Sequence, residues 1–384
     1  MDIQSKSKTT LDLSYVRSKF PALKNDFVFM DNAGGSQTLG GVMDKIVEYL
    51  THYDVQLGAS YEVSVKAGAL LSDVVNQIAN LVNASRHEEV VLGSSATMLL
   101  RILSICLSQG WKSGDEVIVT NSDHEANVSC WTDLRKQGIE VKIWQINAKT
   151  LEFEIDDLKA LLTSKTKLVT MTHVSNILGT INPVKAVSEV VHKAGALFCV
   201  DGVAYAPHRL VDVQAMGVDF YVFSFYKVYG PHMGMLYGRY ELLREMDGLN
   251  HYFIGKDAVP YKFQPGSFSY ELGYSLLGIT EYLEDLHDFH YPEQKGIVKS
   301  QKYKHSFDLI SAHEETLAKR LLDYLLLIPE ITIIGASISD REKRVPTLAF
   351  VHSKISSKEV VRKVDAFRIG IRFGDFYAKK SCRI

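Results

Sequence analysis

Cysteine is scarce in this chain: four among 384 residues, Cys106, Cys130, Cys199 and Cys382. No two stand in a CxxC spacing, which argues against a disulfide framework or a zinc site and for a reducing compartment, with the cytoplasm expected. An excess of charge of one sign is also lacking. Lys and Arg number 43 against 45 Asp and Glu, and no long basic run occurs, so nucleic acid and anionic membrane are poor partners. Long hydrophobic runs are missing too: stretches such as 321–328 are far shorter than the roughly 20 residues a bilayer span needs. The first eight residues are polar and carry no signal-peptide core. No G-x-G-x-x-G follows the first strands, which excludes a nicotinamide dehydrogenase of the usual kind. His287 and His290 have no Glu or Cys at ligand spacing, so no metal is assigned; His208 and Asp212 are expected in loops.

What is present is ample apolar material, 46% of residues, enough for one large α/β domain and a smaller one. Short apolar runs alternate with helical patterns from about residue 90 to 225. Strands are expected at 90–93, 116–120, 141–145, 168–173, 197–200, 219–224 and 233–237, and helices at 67–82, 126–137 and 184–194. This alternation is the pattern of a mostly parallel sheet covered on both faces. Beyond residue 285 a helical pattern at 317–327 is followed by short strands at 331–334 and 347–351. The expected division is a large domain, 26–284, and a smaller α+β domain from 1–25 and 285–384; the leader carries a short helix, 13–20, stopped by Pro21.

Two of these strands deliver an ionisable residue at their carboxyl ends. Leu197-Phe198-Cys199-Val200 leads to Asp201, and the 219–224 strand leads through Phe225-Tyr226 to Lys227. In an open α/β sheet, ligands bind outside those ends. A buried amine and a buried carboxylate there suit pyridoxal 5′-phosphate: the amine forms the Schiff base and the carboxylate keeps the pyridine nitrogen protonated, so that the ring acts as an electron sink. A structural ion pair accounts for the same two residues. Ser94, Ser95 and Thr97, between a strand and a helix, are either a phosphate site or ordinary helix caps. His124 either stacks on an aromatic ring or simply begins a helix. Asn176 either binds a phenolic oxygen or makes a turn.

Six ordered segments together carry a resemblance: Asp31-Asn32-Ala33-Gly34-Gly35-Ser36, Asp123-His124-Glu125-Ala126-Asn127, His173 to Thr180, Val200-Asp201-Gly202, Phe223 to Pro231, and Gly370-Ile371-Arg372-Phe373-Gly374. From about Tyr15 to Ala378 the chain resembles the class V aminotransferase family of fold-type I pyridoxal-phosphate enzymes, on its cysteine desulfurase-like and selenocysteine lyase-like side. The resemblance implies a large domain with a mostly parallel seven-stranded sheet, and a homodimer with shared active sites. It makes Lys227 the Schiff-base lysine, Asp201 the partner of the pyridine nitrogen and His124 the residue that stacks on the ring and moves protons, these three being the catalytic residues. It places Asn176 at the ring hydroxyl, and Ser95, with Ser94 or Thr97, and Ser224 at the phosphate. Ser267 is implied to reach the phosphate of the neighbouring subunit, and Asn32 and Arg372 to meet the substrate.

The chain departs from the family pattern at four places. Ala204 stands where a Gln is usual, and Tyr226 where a His often helps hold the phosphate. Tyr377 takes the position of the nucleophilic Cys of the desulfurases; a phenol cannot form a persulfide, whereas a thiolate can. Cys382 lies five positions later, a substitute only if the loop folds back. Family members run on through a strand and helix bearing a carboxylate-binding Arg, so the small domain is expected to be incomplete or truncated here. The function expected from all this is cleavage of a C–S or C–Se bond in a small amino acid. An aminotransferase or epimerase of the same fold is an alternative, and so is a degenerate protein that binds partners without catalysis.

Overall fold

The computed structural model describes residues 10–378. Its strands in chain order are β1 (Val28–Phe29), β2 (Val90–Gly93), β3 (Glu116–Thr120), β4 (Glu140–Trp144), β5 (Thr166–Thr172), β6 (Leu197–Asp201), β7 (Phe220–Ser224), β8 (Gly234–Gly238), β9 (Ile331–Ile334), β10 (Ala349–His352) and β11 (Ile369–Gly370). β2 to β8 form one seven-stranded sheet in the order β2-β8-β7-β6-β5-β3-β4. Only β8 runs antiparallel to its neighbours, β2 and β7. The sheet is the mostly parallel one expected, because its strands are apolar on both faces and need cover on both. In β7 the residues alternate between two cores: Tyr221 and Phe223 pack with Tyr49, Ile78 and Leu283, while Phe220 and Val222 pack with Leu103 and Trp131 on the opposite face.

Helix boundaries differ from the periodic patterns where polar residues mask the period. Glu62–Leu81 begins five residues before 67, its first turn being largely exposed. The 126–137 pattern divides into an α-helix, Ala126–Thr132, and a 3-10 turn, Asp133–Gln137, closed by Gly138 at φ +80. The long helix Lys299–Leu325 begins well before 317 because Lys, Gln and Ser surround the buried Tyr303, Phe307 and Ile310. Those three join the same core as the sheet. Among the described residues no helix is long and apolar enough to cross a membrane.

Two features position the site. β1 and β11 form a parallel pair, Val28 beside Ile369 and Phe29 beside Gly370, which the sequence pattern had not indicated because each strand is only two residues long. The loops that follow β5 and β6 are tied to the segment 336–347. Arg209 bonds to Glu314 (3.1 Å) and to the Arg341 carbonyl (2.9 Å), and the Val345 amide bonds to the Gly179 carbonyl at 3.0 Å. Arg344 is buried and gives its guanidinium to the carbonyls of Ala336, Val345 and Thr347. Burial lowers its pKa to about 10.

Close backbone approach makes one glycine of β8 irreplaceable. A Cβ on Gly234 would lie 2.5 Å from the Ser95 carbonyl carbon and 2.6 Å from the Ala96 nitrogen, both backbone atoms that cannot rotate away. Gly234→Ala is expected to destabilise the fold by about 1–3 kcal/mol, seen as a lower midpoint in urea with an unchanged slope.

Candidate active site

β6 and β7 are parallel neighbours, with Cys199 beside Phe220 and Asp201 beside Val222. Their carboxyl ends therefore bring Asp201 to the same pocket as Lys227, which sits in the 3-10 turn Phe225–Lys227 just after β7. Both are buried. The Asp201 Oδ1 accepts the Val203 amide at 2.9 Å. Burial raises the Asp201 pKa to about 6, against the pull of that amide and of Lys227. Burial lowers that of Lys227 to about 8; Asp201 and Asp31 oppose the shift, and Arg372 adds to it. The outcome is an amine of which a useful fraction is neutral, and so nucleophilic and basic, near neutral pH.

One wall of the pocket combines a helix start with hydroxyl side chains, a setting that favours an anion. Helix Ala96–Ser108 points its N-terminus into it, and Ser95, Ala96, Thr97, Ser224 and Tyr226 are among its lining residues. Ser95 is both lining residue and helix cap, its Oγ accepting the Met98 amide at 3.2 Å, so the two roles do not exclude each other. The Ser224 Oγ accepts the Ala96 amide at 3.2 Å, joining β7 to the helix start. The Tyr226 ring stacks on His232 at 5.0 Å. Ser94 is exposed and stands outside the lining. Ser267 also lies outside it, at φ +69 in a loop that Gln264 anchors to the Leu92 carbonyl at 3.1 Å.

His124 lines the pocket next to a group that pattern reasoning missed. Its Nδ1 accepts the Ala126 amide at 3.1 Å, which leaves the proton of the neutral ring on Nε2. Burial first, and the Lys227 charge second, lower its pKa to about 4, so it is neutral over the working range. The neighbouring Asp123 is buried and accepts bonds from the Thr120 hydroxyl and from Asn127 Nδ2, the latter at 2.6 Å; Asn127 in turn accepts from Thr170 at 2.8 Å. Burial raises the Asp123 pKa to about 7, with Asp201 adding to the rise. The sequence signal was an Asp four residues before an Asn at a helix start.

A segment from the far end of the chain flanks the mouth of the pocket, in contact with Asn176, His124 and Lys227. Asn176 donates from Nδ2 to the Phe376 carbonyl at 2.9 Å, while its buried Oδ1 has no partner among the described residues. The Glu125 amide bonds to the Tyr377 carbonyl at 2.8 Å, and the Tyr377 ring lies 5.4 Å from that of His124. Phe376 and Tyr377 adopt φ of +45 and +62, left-handed values unusual for bulky residues. The Phe376 ring sits beneath two cations, its centroid 5.8 Å from the Lys227 Nζ and 4.9 Å from Arg372. Arg372 is paired in a fork with Asp31, from Nε at 3.0 Å to each carboxylate oxygen and from Nη2 at 2.6 Å. Asn32 and Arg372 are both exposed, and neither is among the residues that line the pocket. Cys382 lies outside the described residues. Cys106, Cys130 and Cys199 are buried, and burial raises the pKa of the first two to about 12 and that of Cys199 well above the ordinary thiol value.

Residues 28–285 match the Aminotransferase class-V family. The chain belongs to the class-V aminotransferase family. Within it, this class-V chain is 40% identical over 384 residues to the "Aminotransferase-like protein FGM3" of Gibberella zeae, covering 97% of this chain and 90% of that one. It is 33% identical over 374 residues to the "Cysteine desulfurase-like protein ustD" of Aspergillus flavus, covering 94% and 81%. The apo structure of a cysteine desulfurase from Thermococcus onnurineus NA1 shares the fold, with a TM-score of 0.82 at 20% identity over 98% of this chain and 91% of that one. The class-V chain is thus a pyridoxal-phosphate-dependent enzyme of fold type I. Its own residues fit that cofactor: a buried carboxyl, a buried amine of lowered pKa, and a helix N-terminus lined with hydroxyls.

Because only the neutral amine of Lys227 reacts with an aldehyde, uptake of pyridoxal phosphate by the cofactor-free protein should quicken about tenfold per pH unit below pH 8 and level off above it. Arg372 lowers the Lys227 pKa and Asp31 raises it, so Arg372→Gln should move this midpoint upward. Stopped-flow absorbance between pH 6 and 9 measures both.

Proposed function

We propose that this chain cleaves a carbon–sulfur or carbon–selenium bond in a small amino acid by β-elimination, without handing the sulfur to a protein thiol. The observation that carries the second half is Tyr377 at the acceptor position, held by the Glu125 amide against His124, while Cys106, Cys130 and Cys199 are buried. The first half is supported by the desulfurase-like name of a relative and by the site's chemistry. Bound pyridoxal phosphate supplies an electron sink for charge developing at the substrate Cα.

Around it, Asp201 would pair with the pyridine nitrogen, and Ser95, Thr97 and Ser224, with the Ala96 end of the helix, would hold the phosphate. Asn176 would meet the ring oxygen through the second hydrogen of its Nδ2, since the first is given to Phe376. Lys227 is the base for the Cα proton, its neutral form already accessible near pH 8. With Nδ1 occupied, His124 offers an Nε2–H donor and stacks; it does not accept a proton through the nitrogen left free. Arg372 would take the substrate carboxylate. Phe376 and Tyr377 narrow access of water to the amine. The protein is further proposed to act as a cytoplasmic homodimer. Its exposed Tyr252 and Phe253 suit an apolar contact, and Ser267 would reach the partner's phosphate.

Transamination or epimerisation is the second reading, favoured by the name of the 40%-identical relative. A non-catalytic binder is disfavoured because an unused buried Lys beside a buried Asp carries a desolvation penalty that their mutual attraction offsets only in part.

The test is the visible spectrum of the purified protein before and after L-cysteine, beside Lys227→Ala, with assays for sulfide, pyruvate and alanine. A yellow band that shifts with cysteine and is missing in the variant, with sulfide and pyruvate in equal amounts, is the expected result. Alanine in place of pyruvate would point to a desulfurase. A colourless protein that pyridoxal phosphate cannot reconstitute would sink the proposal.

A further inference from the structure

The β1–β11 pair sets two charged side chains in register just beyond its end. Phe29 lies beside Gly370, the Met30 amide bonds to the Gly370 carbonyl at 3.0 Å, and two residues past the pair on each strand stand Asp31 and Arg372. The Asp31 carboxylate engages one edge of the guanidinium, Nε and Nη2. Among the described residues Nη1 has no hydrogen-bond partner. A guanidinium presents two forks, one through Nε and Nη2 and one through Nη1 and Nη2. Asp31 takes the first and leaves the second. The floor beneath is fitted to this arrangement: a Cβ on Gly34 would lie 3.2 Å from the Asp31 carbonyl oxygen, 3.3 Å from the Arg372 Nη2 and 3.4 Å from the Phe376 ring. The Arg372 Cζ lies over the Phe376 ring, 4.9 Å from its centroid, and the Asp31 bonds restrict how the guanidinium can turn.

We propose that Asp31 is a positioning and specificity-determining residue, which locks Arg372 by its Nε edge so that the Nη1–Nη2 fork receives the α-carboxylate of the substrate. This rests on the proposed amino-acid chemistry and deepens it. Arg372 and Asp31 together carry no net charge, and the Nη1–Nη2 fork can accept one further carboxylate. A ligand with an amine but no carboxylate gains nothing from the fork. Asp31 is therefore a determinant of amino-acid over amine selectivity, although it touches neither.

The experiment uses the cofactor-loaded protein and two probes that differ by one group: L-cysteine and 2-aminoethanethiol, which lacks the carboxylate. Binding of each is read as the spectral change at equilibrium, and turnover separately as KM and kcat. The wild-type protein should bind L-cysteine the more tightly. Asp31→Asn should weaken L-cysteine by about tenfold or more through loss of the charge-assisted fork, leave 2-aminoethanethiol unchanged, and act on KM more than on kcat. Asp31→Glu should recover part of the selectivity. Gly34→Ala, which crowds Nη2 without altering charge, should shift the ratio the same way. Equal weakening of both probes by Asp31→Asn would reduce Asp31 to a structural role. Tighter L-cysteine binding would show that Asp31 competes with the substrate for Arg372. Either result overturns the inference while leaving the proposed function standing. If neither probe perturbs the wild-type spectrum, the proposed function fails and the inference with it.

Discussion

Two opposite charges buried together at the carboxyl ends of β6 and β7 set the terms for the rest of the site. Neither Asp201 nor Lys227 is well placed alone: burial pushes the carboxyl toward its protonated form and the amine toward its neutral one. The fold tolerates them because each lowers the cost of the other, and because a cofactor with a ring nitrogen and an aldehyde would engage both. The surrounding arrangement follows from holding that pair still. β7 is locked to the helix start through Ser224 and Ala96, and the loop after β6 is tied through Arg209 to Glu314 and the segment 340–344. The rigidity of the pocket comes from backbone and charge contacts of the two strands that supply its reactive groups.

The mouth of the pocket has a different character. It is flanked by Phe376 and Tyr377, bulky residues in left-handed backbone conformations, held by hydrogen bonds from Asn176 to Phe376, from Glu125 to Tyr377 and from the Tyr377 amide to Asp375. Strained conformations of this kind persist only where their surroundings over-determine them, and they gather at functional sites. Asn176 links the two regions, since the amide that would face the cofactor also carries the loop. A change of loop position and a change of cofactor contact are therefore not independent in this molecule.

Much of this was legible in the sequence, and the parts that were not share a cause. The strands 90–93, 116–120, 197–201 and 331–334 could be read because continuous apolar runs bounded by turn residues have few other meanings, and Asp201 and Lys227 followed because they stand at the ends of such runs. Helix 299–325 was legible only in its last third, from 317, where Leu residues recur; its first half mixes Ser, Lys and His with Tyr303 and Phe307. Asp123 could not be singled out, because its burial depends on Thr120 and Asn127 closing around it. Ser94 and Ser95 are chemically identical in sequence, and only the backbone decides that one caps the helix while its neighbour faces solvent. Asp31 and Arg372 lie 341 positions apart, and nothing local to either announces the other.

That separation bears on the order in which the site is assembled. The cradle formed by Ser95, His124, Asp201 and Lys227 is complete within some 130 residues of one sheet, whereas the fork closes only when the two ends of the chain meet through a pair of two-residue strands. Loop-closure entropy weighs most heavily on such a contact, and so small a pair has little area with which to resist opening. The two halves of recognition thus have unequal tenure. Grip on the cofactor would be set by the body of the sheet, while the proposed grip on the substrate's acid group would depend on the contact with the longest loop to close and the smallest pair of strands to hold it.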